Sequence, residues 1–587
     1  MTRRTPRRLR LSSVAWISLG ALSVAILAMA AAVGVGAFVA QKELRAAIPV
    51  VSAMQDQFES DDRVGLDASI QELRAHASAA RGAADTWLWW IAEQAPFVGS
   101  SLHAVRGSTV AVDELANGVL PELVDIDPAL LRPRGGAFDV GALTDLAGPL
   151  GTASAAAERA SGALEGVNLR YVPGMLQQPL AQLIGVVGSL QPALSRADAM
   201  LPQLPSMMGQ DGPKNYLLLV QNNAEARGLG GIPASVVLLR VDNGKLEIAQ
   251  QASSESFTNK RPSPILPLDS SVVQLFDDKV GRWSQDITST PDFALSAELA
   301  RAFWKESFGS DVDGVISIDP VVLSYILKAT GPVTLATGDE LSSDNAVQTL
   351  LSSVYARYPK NKDQDIFFAA AAVQVFDAVS SGDFEPLAFA QAVSRAVDEH
   401  RVYFHSFDTS TEATLAGSRL NGPLPEQDNP AQPTLGVFVN DLTQSKLSYY
   451  TWMSAAVKVD RCSIVPTYTT TVTFVNALDQ ATSDGLVQYV NTGSRYPKGT
   501  IGTDIQFYGP TGSTFVGATL DGVDVSITTG EHLGRAVGRM WVVNPPQAVH
   551  TLTVTFEGSP QDGSDAALVH TPMVNPVDTT VVETPCG

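Results

Sequence analysis

Thirty-one consecutive uncharged residues, Leu11–Gln41, separate Arg10 from Lys42, and no other feature limits the chain so tightly. The run is rich in Ala, Val, Leu and Gly. As a helix rising about 1.5 Å per residue it outlasts a hydrocarbon core roughly 30 Å thick. Five arginines precede it (Arg3, Arg4, Arg7, Arg8, Arg10), with no acid among them. Basic flanks hold the amino end in the cytoplasm, so the remainder is expected outside the plasma membrane on a single-pass anchor. The alternative is a cleaved signal peptide, for which Ala37 and Ala40 offer small residues. Signal h-regions run only about 7–15 residues, and the greater length here favours a retained anchor.

Beyond the anchor the chain is acidic. The whole carries 61 acidic and 40 basic residues, a net charge of −21, and five of the basic ones sit in the amino-terminal arm. Such a surface repels nucleic acid, which is bound by basic patches that displace counterions. It also gives no electrostatic hold on anionic lipid. Cys462 and Cys586 are the only cysteines. In an oxidising compartment one disulfide between them is expected, closing a loop of 125 residues. Two free thiols are the alternative. Cysteine-based zinc sites need more ligands than this.

The texture of the chain changes along its length. An arm (1–10) and the membrane helix (11–41) are followed by a helical stalk at 42–205, rich in Ala, Leu, Glu and Gln. Two readings stand for Trp87, Trp89 and Trp90: a buried helical core, or a belt returning to the lipid interface. Residues 206–456 alternate strands and helices and read as a mixed α/β domain. The strands there are Tyr216–Val220, Ser235–Val241, Leu246–Ala249, Gly314–Ile318 and Val333–Leu335, with an Asn243-Gly244 hairpin turn. Residues 457–587 hold β-branched alternating runs such as Tyr468–Phe474 and Thr551–Phe556, which predict a β-sandwich.

Three polar clusters could carry chemistry. The first is Gln221–Gly231, read as a loop in which Asn222, Asn223, Glu225, Arg227, Gly230 and Gly231 emerge beyond a buried strand. Its glycines would let backbone N–H groups approach an anion, and Arg227 could grip a phosphate or carboxylate. A turn capped by its own asparagines is the plainer reading. The second is Lys260-Arg261, a basic pair in a proline-stiffened loop; a solvated pair is its alternative. The third is Arg357 with Asp363 and Asp365 at a helix junction, suited either to helix capping or to phosphate and a divalent cation. No P-loop, nucleophile elbow or metalloprotease motif occurs.

On Asn222–Gly231, Val241–Leu246, Asp313–Pro320, Gly331-Pro332-Val333 and Asn440-Asp441…Ser445-Lys446, the chain resembles the bacterial family called domain of unknown function 4012. Most relatives carry Arg-Pro-Thr-Gly-Gly where this chain reads Arg227-Gly228-Leu229-Gly230-Gly231. The resemblance implies an anchored exterior protein. In the order of its elements the chain is also similar, more remotely, to the LytR-CpsA-Psr phosphotransferases, which move polyprenyl-pyrophosphate-linked glycopolymers onto the cell wall. That likeness implies Arg227, Arg261 and Arg357 on the pyrophosphate. Arg227, Arg357 and Asp365 would be catalytic, and Asn222, Asn223, Glu225, Gly230, Gly231 and Lys260 would bind ligand. Asp363 or Asp365 would hold a magnesium or manganese ion, and the apolar helix from Ile366 would line a slot for the lipid. The hallmark Pro-Arg-Asp of those enzymes is absent, with Lys260-Arg261-Pro262 in its place. Two functions are therefore expected to compete: an envelope protein binding or transferring lipid-linked glycopolymer to a wall polymer, and a non-catalytic envelope scaffold or adhesion protein.

Overall fold

The computed structural model describes residues 13–584 apart from 60–62, 97, 125, 170, 171, 173, 426–431, 464, 492–495 and 559–565. The chain divides into two compact units: Met1–Asp127 with Ala142–Pro202, and Pro128–Gly141 with Gln203–Gly587.

The first unit is helical. It contains α1 (Ser13–Glu59), α2 (Arg63–Ala84), α3 (Trp87–Ala92) and α4 (Gly99–Glu114), then the longer helices Ala147–Leu164 and Gly174–Met200. Its interior is built from small side chains. Ala104, Ala111 and Ala160 pack with Leu164, Leu180 and Val187, and Ala153, Ala156 and Ala157 pack with Val119 and Leu194. Alanine keeps helix propensity high while letting backbones come close. At Gly107 a Cβ would stand 2.3 Å from the Ala163 carbonyl oxygen. Among the described residues no helix is long and apolar enough to cross a membrane. The expected spanning run begins on residues outside that set, and the side chains of 13–27 are not described.

The tryptophan cluster is split by its packing. Thr86 caps α3, accepting a hydrogen bond from the Trp89 amide, and Trp89 is buried with its Nε1 donating to the Leu102 carbonyl at 3.0 Å. Trp87 and Trp90 stand in the open, 70% and 59% exposed.

The second unit is mixed α/β with a strand-rich carboxyl-terminal part. Its first sheet has the order β3-β2-β1-β4-β7. The strands are β1 (Lys214–Arg227), β2 (Gly230–Asp242), β3 (Lys245–Ser253), β4 (Gly314–Ile318) and β7 (Tyr403–Ser406); β5 (Val333–Thr334) and β6 (Glu340–Leu341) form a separate pair. β1 and β4 run parallel and the other neighbours in the large sheet antiparallel. The Asn243-Gly244 turn forms as expected, with φ of 46° and 81°, the two positive values that a type I′ hairpin demands.

One correction follows at once. The polar stretch expected as a loop is strand: β1 continues through Gln221–Arg227, β2 begins at Gly230, and only Gly228-Leu229 turn between them. The pairing slips at Val220/Gln221 and again at Asn222/Ala226, so the extension is bulged.

The remaining strands form two further sheets, in the orders β13-β12-β16-β10-β9-β18 and β14-β15-β11-β8-β17. They are β8 (Thr434–Asp441), β9 (Thr451–Asp460), β10 (Thr467–Asn476), β11 (Ile501–Thr511), β12 (Thr514–Leu520), β13 (Val523–Asp524), β14 (Thr528–His532), β15 (Arg535–Asn544), β16 (Val549–Glu557), β17 (Ala567–His570) and β18 (Asp578–Thr584). Val437, Val439, Ile505, Phe507 and Val542 of one sheet share a core with Met453, Val472, Phe474, Val554 and Phe556 of the other. The period-two burial of β9 and β10 is the signature of a sheet with one face inside. β8, which the sequence reading groups with the α/β segment, is buried at every residue. Its second face is covered because Phe438 joins Tyr508 and Val537 in the core of the first sheet, beside Leu275, Phe293 and Tyr403.

Candidate functional site

The bulged end of β1 reaches the seam between the first sheet and β8, where most of its polar side-chain atoms find partners, Asn223 Oδ1 being buried without one. Gln221 donates to the Ser317 hydroxyl at 2.5 Å and accepts from the Gly231 amide at 2.6 Å. Asn222 donates to the Tyr355 hydroxyl at 2.7 Å and accepts from the Ala224 amide at 3.1 Å. Asn223 donates to Asp319 Oδ2 and to the Pro572 carbonyl, each at 2.9 Å. The Gly228 amide meets Asn440 Oδ1 at 3.3 Å, and its carbonyl accepts from Thr571 at 2.9 Å. Polar groups withdrawn from water carry a large penalty unless paired, which is why a strand can be this polar and still be interior.

Arg227 is part of the same packing. Its Nε donates to Asp286 Oδ1 at 3.0 Å, and Nη1 donates to the Ala226 carbonyl at 2.9 Å and the Asp441 carbonyl at 3.4 Å. A guanidinium so engaged has little left for a phosphate. The glycines serve closeness of strands. At Gly231 a Cβ would fall 2.2 Å from the Asn222 carbonyl oxygen, and at Gly228 one would fall 2.6 Å from that of Ser289.

Two charged groups dominate the electrostatics of the seam. Arg401 donates to Asp319 Oδ2 at 2.7 Å, to Glu399 Oε2 at 2.8 Å and to the Met573 carbonyl at 2.9 Å. Burial works against its charge, but Asp319 and Glu399 hold it well above the ordinary arginine range. Asp319 also caps helix Pro320–Thr330 through the Val322 amide at 2.9 Å. Lys446 is ion-paired with Glu225 and lies 4.8 Å from the Tyr489 ring centre and 5.2 Å from that of Tyr355. Burial pushes its ammonium down to about 7.

The other expected residues are not gathered here. Arg261 pairs with Glu306 at 2.5 Å, and Lys260, at φ 61°, places its ammonium 5.7 Å from the Trp283 ring centre. Arg357 pairs with Asp339 on the surface and lies 5.3 Å from the Tyr358 ring. Each arginine thus has its own carboxylate, and no contact joins the three. Asp363 and Asp365 lie inside helix Asn361–Ser381, whose N-cap position is Lys360, so neither caps it. Asp363 is exposed, and burial raises the Asp365 pKa against a bond with Ser253. Among the described residues no three His, Cys, Asp or Glu side chains could hold a metal together. Asp363 and Asp365 belong to no such group. One face of the apolar helix from Ile366 fills a core, with Phe367, Ala371 and Val375 clustered with Leu323 and Leu327, while Ile366 itself is exposed.

Asp319, Asn440 and Lys446 stood in the segments carrying the family resemblance, but only their partners reveal their roles. Arg401 had no signal in the sequence, being a lone arginine between a helix and a strand. At the opposite ends of β1 and β4 lies a cavity of about 250 Å³, lined by Lys214, Tyr216, Arg301, Asp313 and Asp408 among others. Its cations are matched, Lys214 by Asp313 within the cavity at 3.3 Å and Arg301 by Asp311 outside its lining at 2.6 Å.

Residues 211–355 match a family model described as Protein of unknown function (DUF4012). No curated protein matches the chain. Among solved structures, the chain is similar to a Legionella pneumophila protein provisionally described as a nutrient binding protein. Identity is 10%, coverage is 22% of this chain and 42% of that one, and the TM-score is 0.14. The chain spans less than half of that neighbour, and the likeness carries no argument about function.

Proposed function

Taking as premise that residues 211–355 belong to the family of proteins of unknown function DUF4012, we propose that the chain is a non-catalytic scaffold or adhesion protein of the cell envelope. It is held in the plasma membrane by residues 11–41, with its amino end cytoplasmic and its second unit displayed outside. The uncharged run and the arginines before it support the anchor and its direction. One observation carries the non-catalytic reading: Arg227, the residue best suited to grip a pyrophosphate, is bound to Asp286 and two main-chain carbonyls. Phosphoryl transfer works by positioned, available charge, and here the charge is already neutralised.

The experiment isolates full-length protein from its own membranes and assays the lipid extract for polyprenyl phosphates by mass spectrometry. No stoichiometric lipid is expected, and cells carrying Arg357→Gln with Arg261→Gln should attach envelope polymer normally. Recovery of one polyprenyl pyrophosphate per chain, with attachment lost in that variant, would establish the transferase reading instead.

A disulfide between Cys462 and Cys586 belongs to the same proposal. β18 pairs in parallel with β9 up to Thr584 opposite Asp460, and each cysteine follows its end of that register by two residues. Cys462 Sγ lies 3.9 Å from the Thr584 carbonyl oxygen, while Cys586 is outside the described residues. Closing so long a loop stabilises by about 4–5 kcal/mol in the chain-entropy model. Alkylation of the unfolded chain should modify neither cysteine before reduction and both after it. Modification without reduction would refute the bond.

A further inference from the structure

From the exposed tryptophans we infer that α3 is a foot resting on the outer surface of the bilayer, so that the first unit is seated on the lipid as well as tethered through it. This rests on the membrane-anchor reading above. α3 turns two faces in opposite directions. Trp89 pins it to α1 and α2, packing with Val33 and Ala40 of the first and Ala84 of the second, while Trp87, Trp90 and Ile91 share the other face at helical spacing. That face is open: Trp87, Trp90 and Ile91 are 70%, 59% and 48% exposed. On α1 at the same level, Val35 and Phe38 are also exposed.

Length fixes which occupant suits this patch. A 30 Å hydrocarbon core takes about 20 residues at 1.5 Å each. Counted from Leu11, where the uncharged run begins, such a span is complete by residue 32. The next eight residues, Val33–Ala40, cover about 12 Å and fall in the headgroup layer and just beyond it. Those are the residues on which Trp89 docks α3.

The chemistry agrees with the depth. Tryptophan collects at this interface because its ring is apolar and its N–H is polar. Arg106, whose guanidinium lies 5.4 Å from the Trp90 ring centre, is paired with Glu93, and Lys42, one turn past Phe38, is paired with Glu43, so the rings and not free charge would hold this face to lipid. Two members of the exposed apolar set, Val35 and Phe38, lie within the uncharged run itself, and α3 is docked on that stretch of α1.

Full-length protein in vesicles of phosphatidylethanolamine and phosphatidylglycerol, with the acyl chains brominated near the headgroup, tests the foot by tryptophan quenching. Trp16 lies within the anchor run and reports on it separately. Quenching should persist in Trp16→Phe and be largely lost when Trp87→Ser and Trp90→Ser are added, with helix content unchanged. Quenching that Trp16→Phe abolishes by itself would overturn the foot and leave the anchor standing. No quenching in the unaltered chain would overturn the anchor, and the foot with it.

Discussion

Arg401→Met is expected to destabilise the second unit by about 3–5 kcal/mol, the usual cost of removing one partner from a buried ion pair. The side chains of Arg401 and Asp319 are 8% and 4% exposed, so neither can recover its lost bonds from water. The substitution leaves Asp319 charged in the interior, with only the Asn223 amide and the Val322 N–H for support. It also strips the Met573 carbonyl of its donor and Glu399 of one of its two arginines. Arg401→Lys should fall between, since an ammonium restores charge without the fork that reaches three acceptors. Urea unfolding measures both: the midpoint should fall with the slope retained. An unchanged midpoint for Arg401→Met would mean that the seam contributes nothing to stability.

Gly231→Ala is the second large effect. Its Cβ would overlap the Asn222 carbonyl oxygen and carbon at 2.2 and 2.3 Å, and both belong to the β1 backbone, which no rotamer change can move. The two strands would have to separate across the bulge that holds Asn222 and Asn223 in place. Overpacking of this kind costs about 1–3 kcal/mol and occasionally more. Gly162→Ala is the natural control. That glycine sits inside helix Ala147–Leu164 with nothing within 4 Å of its Cβ position. Alanine there should stabilise its helix by about 1 kcal/mol. A Gly231→Ala protein that unfolds like the unaltered chain would show that the strands do not approach as described.

What the sequence made legible was local. Asn243-Gly244 announces its turn because a type I′ hairpin needs two residues that tolerate positive φ, and both residues take it. The alternation along Thr467–Asn476 is legible because one face of β10 meets the opposite sheet and the other meets water. The polar run Gln221–Arg227 misleads for a physical reason. A sequence window shows unmet hydrogen-bonding groups and reads them as exposed, whereas their partners arrive from far along the chain. Asn223 is met by Asp319, 96 residues away, and by Pro572, 349 residues away. The same distance effect hides Arg401, and it hides the second covered face of β8, which depends on Phe438 meeting the first sheet. The tryptophans were half legible: their residue type indicates burial or an interface, and only the docking of α3 sorts Trp89 from Trp87 and Trp90.

If the Asn-Arg-Gly segment is an internal seam, its amide protons should exchange with deuterium as slowly as those of Leu217–Val220 in the same strand. The Ala224, Ala226, Gly228 and Gly231 amides all have side-chain acceptors, and Leu229 donates to the Thr288 carbonyl at 3.1 Å. Mass-resolved exchange over residues 221–231 of the full chain is the measurement. Slow exchange, unaltered by added polyprenyl pyrophosphate, is the expected result. Fast exchange that the pyrophosphate then suppresses would make the segment a ligand loop and contradict the account.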